Sequence, residues 1–175
     1  MDIEIRAMRE ADWPFVAEIY QQGMDTNLAT FQSECPSYAQ WDASHRKDCR
    51  LIIVADGNVA GWAALTPVSS RCVYAGVAEV SIYISPAYAR KGLGARLLRA
   101  LISASEQEGI WTLQSGIMRD NIASIHLHEA CGFRMVGYRE RVGRDRFGVW
   151  RDNVLMERRC PEDEPLGGTC LCCQK

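Results

Sequence analysis

The stretch from Ala78 to Glu108 constrains the fold of this chain more than any other. Val80, Ile82, Tyr83 and Ile84 make a β-rich run, and Pro86 stops it because proline cannot donate to a ladder. Arg90-Lys91-Gly92-Leu93-Gly94-Ala95 follows, with two basic residues and two glycines. From Gly94 to Glu108 the residues Leu97, Leu98, Leu101 and Ile102 then fall on one stripe at helical spacing, and Gly109 closes the helix. A strand that passes through a glycine-rich turn into an amphipathic helix requires a sheet with a helix packed on it. The amides at such a helix start are unpaired and the helix dipole adds positive potential, so the turn suits a pyrophosphate. By itself the same turn is equally a tight connection with solvated charges. No lysine-serine pair of a P-loop follows, and the third glycine of the dinucleotide fingerprint is missing, so nucleotide hydrolysis and hydride transfer both fit poorly.

The rest of the chain extends this pattern. Ile3 and Ile5 alternate with charged residues as a first strand, and Glu10-Ala11-Asp12 opens a helix with Phe15, Val16 and Ile19 on its apolar side. Pro36 starts a second short helix bearing Tyr38, Trp41 and His45. Two apolar runs, 51–55 and 59–65, are joined by Asp56-Gly57-Asn58 and predict an antiparallel hairpin. Trp111 to Met118 reads as a strand, Asn121 to Ala130 as a helix ended by Gly132, and 133–142 with 149–158 as a final strand pair. The expected fold is α/β: one domain with a mixed, mostly antiparallel sheet flanked by helices.

The chain's 175 residues suffice for one such domain, set at 1–159. The remaining 160–175, rich in acidic residues and glycine, predict a disordered tail carrying Cys160, Cys170, Cys172 and Cys173. A closed zinc site usually wants two separated cysteine pairs, so the expectation is no required metal, with capture of a soft metal or metalloid by the tail as the alternative. Cys35, Cys49, Cys72 and Cys131 are scattered as small apolar residues would be. A net charge of −2 speaks against a nucleic-acid partner. The sequence holds neither a signal-peptide pattern nor an apolar run long enough to span a membrane, so a cytoplasmic protein without a membrane partner is expected.

Ala89-Arg90-Lys91-Gly92-Leu93-Gly94 resembles the pyrophosphate loop of the GNAT superfamily of N-acetyltransferases, written [Q/R]-x-x-G-x-[G/A], with alanine in the first position as a departure. Asn121-Ile122-Ala123-Ser124 and Leu127 through Gly132-Phe133 resemble that family's asparagine-started helix along the pantetheine arm. Thr30-Phe31, Arg71-x-x-Tyr74-x-x-x-x-Glu79, His128-Glu129 and Gly148-x-Trp150-x-Asp152 are similar to the phosphinothricin and methionine-sulfoximine acetyltransferases, over nearly everything from Ile3 to Arg158. The resemblance implies acetyl-CoA as cosubstrate, held by Ile82, Ile84, Arg90, Lys91, Gly92, Leu93, Gly94, Ala95, Asn121 and Ser124. It implies Glu79 and His128 as catalytic residues, and Thr30, Phe31, Arg71, Tyr74 and Trp150 as the acceptor's binding site. It implies a homodimer, and a small amino-acid analogue such as phosphinothricin, methionine sulfoximine or sulfone, or arsinothricin as the acceptor.

Acetyl transfer needs a neutral amine, whereas a free α-amino group has a pKa near ~8 and is partly protonated at neutral pH. Glu79 is the candidate proton acceptor, although alternation alone reads it as a solvent-facing carboxylate. His128 stands where many family members carry a tyrosine proposed to protonate the leaving thiolate. His126 is two residues, about 200°, around the helix, so only one ring can face a site. A strand amide between Val80 and Ile82 would meet the oxyanion. Arg71 would grip an oxyanion with two parallel hydrogen bonds, or is a solvated loop charge. No cysteine sits in a nucleophile motif, which favours direct transfer in a ternary complex. Two other readings stay open: acetylation of protein or peptide amino termini, and a non-catalytic acetyl-CoA-binding or metal-sensing module.

Overall fold

A computed structural model describes residues 1–161, so Cys170, Cys172 and Cys173 of the expected tail lie outside the described residues. The strands are β1 (Ile3–Ala7), β2 (Leu51–Ala55), β3 (Asn58–Pro67), β4 (Val77–Ile84), β5 (Thr112–Met118), β6 (Arg134–Arg144) and β7 (Trp150–Arg159). They form one sheet in the order β1-β2-β3-β4-β5-β7-β6, antiparallel everywhere except between β4 and β5. The helices are α1 (Trp13–Asp25), α2 (Tyr38–Ser44), α3 (Leu93–Gln107) and α4 (Ile122–Ala130). Among the described residues no helix is long and apolar enough to cross a membrane.

The pleat explains why the middle of the sheet reads as a continuous apolar run. Successive side chains point to opposite faces, and here both faces are covered. Ile53, Ala63 and Leu65 pack with Leu97, Leu98 and Leu101 of α3, whereas Ile52, Trp62 and Ala64 pack with Val16, Ile19 and Tyr20 of α1 and Trp41 of α2. Phe15, expected on the buried side of the first helix, is instead 53% exposed. The stripe that α1 buries runs through Val16, Ile19, Tyr20 and Met24, and Phe15 lies one residue, about 100°, off Val16. That helix starts at Trp13, because Glu10–Asp12 forms a separate 3-10 turn.

Local chemistry sets the other boundaries. Ser37 caps α2 by accepting from the Gln40 amide, with the Gln40 side chain returning to the Ser37 amide. Asp56 and Gly57 both take positive φ, 49° and 80°, as the two-residue turn of a twisted hairpin requires. At the far end of the sheet the Cys160 amide still donates to the Trp111 carbonyl at 2.7 Å.

Candidate active site

The register of β4 creates the site. β4 is paired with β3 along its length from Ala78 to Ile84, but it pairs with β5 only from Val77 to Glu79, opposite Thr112 to Gln114. Beyond that point the two strands part, while β5 stays paired with β7 as far as Met118. Alternate amides and carbonyls of Val80–Ile84 therefore face a wedge rather than a neighbouring strand. A cavity of about 450 Å³ fills the wedge, floored by Val80 to Tyr83 on one side and Ser115 to Met118 on the other.

Glu79 stands at the apex, the last β4 residue paired with β5. Its carboxylate accepts from the Gln114 amide nitrogen at 3.0 Å, lines the cavity and is open to solvent. α4 forms another wall. Asn121 caps this helix by accepting from the Ser124 amide at 3.2 Å, and its own amide donates to the Leu28 carbonyl at 3.2 Å. The cap thus ties α4 to the loop after α1 that carries Thr30 and Phe31, both of which line the cavity. From the other side the β6–β7 turn holds the same loop. Asn27 donates to the buried Asp145 carboxylate at 2.9 Å, and the Phe147 and Val149 amides donate to its other oxygen.

His128 is buried, 1% exposed, and lines the cavity, whereas His126 on the same helix is exposed. The His128 Nδ1 lies 2.8 Å from the Ser124 carbonyl, so in the neutral ring Nδ1 carries the hydrogen and Nε2 the lone pair. Burial holds the pKa of His128 below the ordinary histidine value, which keeps the ring neutral. Nε2 is buried without a partner among the described residues, so the resting ring offers a proton acceptor.

The turn between β4 and α3 is built for backbone approach. Gly92, the residue before α3, has φ 76°, and a side chain there would meet open space. Arg90 also sits in the left-handed region, at φ 59°, and is exposed. The Leu93 side chain is buried in the core, so Leu93 can offer a ligand only its backbone. Gly94 lets α3 pack closely on α4, since a β-carbon there would come within 3.3 Å of Leu127. An unpaired helix start and open space over Gly92, continuous with a strand edge free of a neighbour, fit the pyrophosphate and the amide-rich arm of a coenzyme A thioester.

Residues 6–133 match the acetyltransferase (GNAT) family. The chain belongs to that family. It is similar to phosphinothricin N-acetyltransferase of Alcaligenes faecalis, 34% identical over 165 residues that make up 88% of this chain and 81% of that protein. It is also similar to the L-methionine sulfoximine/L-methionine sulfone acetyltransferase of Pseudomonas paraeruginosa, 31% identical over 90% of this chain and 94% of the relative. Among solved structures, a GNAT superfamily phosphinothricin acetyltransferase from Sinorhizobium meliloti in complex with acetyl-CoA superposes with a TM-score of 0.82 at 28% identity, covering 91% of this chain and 89% of the other. The protein is therefore an N-acetyltransferase of the GNAT fold, with acetyl-CoA as its cosubstrate.

In this GNAT enzyme Glu79, His128, Ile82, Asn121, Ser124, Thr30 and Phe31 come together around the cavity. Three residues expected at the acceptor do not join them. Arg71 and Tyr74 are exposed and lie together in the β3–β4 connection, the guanidinium 5.7 Å from the ring centroid. Trp150 is 49% exposed at the start of β7, beneath the Arg144 guanidinium. Lys91 turns its ammonium to the Ala87 carbonyl and the Tyr88 ring. Ile84 packs on the helix-side core.

The cavity also holds groups that the sequence did not single out as functional. His45 follows α2 with its ring stacked on Trp41 at 4.4 Å, and its Nδ1 lies 2.8 Å from the Trp41 carbonyl. The amide of the next residue, Arg46, donates to Leu65 of β3 at 2.8 Å. These bonds bring His45 to the cavity beside Thr66, the β3 partner of Glu79. Gln32, Arg139 and Asn153 complete the polar wall. Helical spacing placed His45 on the short second helix with Tyr38 and Trp41; the packing of α2 against the end of β3 turns it toward the site.

Proposed function

We propose that this enzyme transfers the acetyl group of acetyl-CoA directly to the α-amino group of a small amino-acid analogue bearing an anionic group, the class of phosphinothricin, methionine sulfoximine, methionine sulfone and arsinothricin. We further propose that it does so as a cytoplasmic homodimer in a detoxifying or resistance role. One observation carries the reading: a partly open cavity of about 450 Å³ at the parting of β4 and β5, with a carboxylate at its apex. The names of the relatives, which act on such analogues, support it.

Glu79 takes the proton of the acceptor's ammonium group, directly or through one water, and Gln114 keeps the carboxylate aimed at the wedge. The neutral nitrogen attacks the thioester carbonyl, whose oxygen gains charge against an unpaired β4 amide between Val80 and Ile82. His128 Nε2 receives the second proton as the nitrogen becomes an amide, and returns it to the departing sulfur. The sum is one amide formed, one thioester broken and one thiol released.

The test is thiol release from acetyl-CoA with phosphinothricin, methionine sulfoximine, methionine sulfone, arsinothricin and a short peptide as acceptors, using wild type and Glu79→Gln. Turnover on an amino-acid analogue is expected, with kcat lowered about a hundredfold to ten-thousandfold in the variant and the KM for acetyl-CoA unchanged. Turnover on the peptide alone sinks the small-acceptor reading, and a variant as fast as wild type removes Glu79 as the base. A light-scattering mass of a single 19.6 kDa chain removes the homodimer.

A further inference from the structure

We infer that Gly116 is a specificity-determining residue: the side chain it lacks leaves the floor space in which the acceptor lies, and that space sets how large an acceptor the enzyme takes. This rests on the acceptor being a small amine, and it assigns the residue that limits its size.

Among the described residues Gly116 is the only glycine lining the cavity, and it sits in the interior of β5, two residues from Gln114, which holds Glu79. Glycine weakens a strand there, because it loses the most backbone entropy on folding and gives its neighbours nothing to pack on. Several other glycines are explained by the fold itself. At Gly23, Gly61 and Gly76 a β-carbon would come within 2.6 Å of another atom, and Gly92 and Gly148 take positive φ. Neither reason holds at Gly116. Its φ is not positive, and a β-carbon would meet only the Asn153 side-chain nitrogen, at 3.5 Å, an ordinary contact. The fold accepts alanine at this position, so what glycine preserves is the open space above it.

The face of the sheet decides which substrate fills that space. Directly paired residues point to the same face, and side chains alternate along each strand. Thr66 is paired with Glu79 and Glu79 with Gln114, so Gly116, two residues past Gln114, shares their face. That is the face on which α1 and α2 pack, through Trp62 and Ala64 of β3. The helix that starts from the glycine turn, α3, packs on the opposite one, through Ala63 and Leu65. The pyrophosphate of acetyl-CoA thus belongs to the far face, and the acceptor to the face of Glu79 and Gly116. Gly116 is exposed and stands where β4 and β5 have already parted. An amino acid whose amine reaches Glu79 lays its remaining atoms along β5 in the direction in which the wedge opens, and the first floor position beyond Gln114 is Gly116.

The experiment compares wild type, Gly116→Ala and Gly116→Val on methionine sulfone and on its homologue one methylene shorter, S-methylcysteine sulfone, with thermal melts and light-scattering masses of all three proteins. The ratio of kcat/KM for the shorter acceptor to that for methionine sulfone is expected to rise about tenfold or more in Gly116→Val, and less in Gly116→Ala, the scale of discrimination that a methylene carries in a close-fitting pocket. The KM for acetyl-CoA and the mass should not change, and the Tm of Gly116→Ala should equal or exceed that of wild type. A ratio that does not move, a raised KM for acetyl-CoA, or a Gly116→Ala that melts lower overturns the assignment, the last because the glycine would then serve the fold. A changed mass overturns it as well, since it places a neighbouring subunit over Gly116. Wild type that turns over neither sulfone overturns the small-acceptor reading and Gly116 with it. Wild type active on the sulfones with an unmoved ratio in both variants overturns Gly116 alone.

Discussion

The two halves of the wedge are made of different material. The donor half is backbone: an unpaired edge of β4, the left-handed turn at Arg90 and Gly92, and the open start of α3. The half proposed for the acceptor is side chains: Phe31, His45, Glu79, Arg139 and Asn153, brought in by five separate elements or loops. A backbone site is fixed once the strands part and the turn takes its φ values, so many side chains can occupy it. A side-chain site changes its ligand with a single substitution. The donor is shared across a family while the acceptor differs, and this division of material is what that pattern requires.

The most direct way to break the contrast is to deform the donor half's backbone. Gly92→Val places a β-branched residue at φ 76°, with open space around it, so the penalty is conformational and not a clash. Forcing such a residue into the left-handed region costs about 1–3 kcal/mol, which corresponds to a rise of roughly tenfold or more in the KM for acetyl-CoA. The KM for the acceptor should stay where it is. Steady-state kinetics with each substrate varied in turn checks this, and a rise confined to the acceptor would show that the turn does not belong to the donor half.

The same contrast explains which parts were readable from the sequence. The strand, glycine turn and α3 announce themselves because backbone demands leave local signatures: Pro86, the two glycines and a leucine stripe within one short span. Glu79 and His128 were expected at the site from the family resemblance, and both line the cavity. Arg139 and His45 were not, because no local pattern marks either as facing a cavity. Arg139 sits on a strand whose alternation is blurred by exposure on both faces, and its register partner Asn153 is known only once β6 and β7 are paired. His45 looks like one more polar residue at a helix end until the Arg46 amide is seen bound to Leu65. Arg71 and Tyr74 were expected at the acceptor from the family resemblance alone, and in the single chain the β3–β4 connection holds them at the surface.

A smaller effect sharpens the acceptor half. The half-buried His45 ring and the buried His128 ring both line the cavity, each held below the ordinary value of 6.5, with desolvation as the main cause. The unfolded chain then binds more protons than the folded one, so stability is complete above 6.5 and is lost as the pH falls from 6.5 through the folded values. The depressed carboxylate of Asp12, held down by Arg6, acts in a separate window that opens only below its ordinary 3.8. Thermal melts should show Tm falling as the pH drops below 6.5, and His45→Phe, which keeps the stack on Trp41, should flatten that slope. A slope unchanged in both His45→Phe and His128→Phe would place the titration elsewhere.

The smallest expected effect is the most informative about the donor half. Ala89 stands where the family pattern has glutamine or arginine, and a site built from side chains should be weakened by that departure. Ala89 itself takes an extended conformation, and its amide donates to the Pro86 carbonyl at 3.2 Å, so the turn is closed without the missing side chain. The amides that face a pyrophosphate come later, at the start of α3, and depend on Gly92 rather than on residue 89. Ala89→Gln should therefore change the KM for acetyl-CoA by less than about threefold, under 1 kcal/mol. A tenfold gain on restoring the family residue would mean that the donor half also relies on side chains, and the division between backbone-built and side-chain-built halves would fail where it should be strongest.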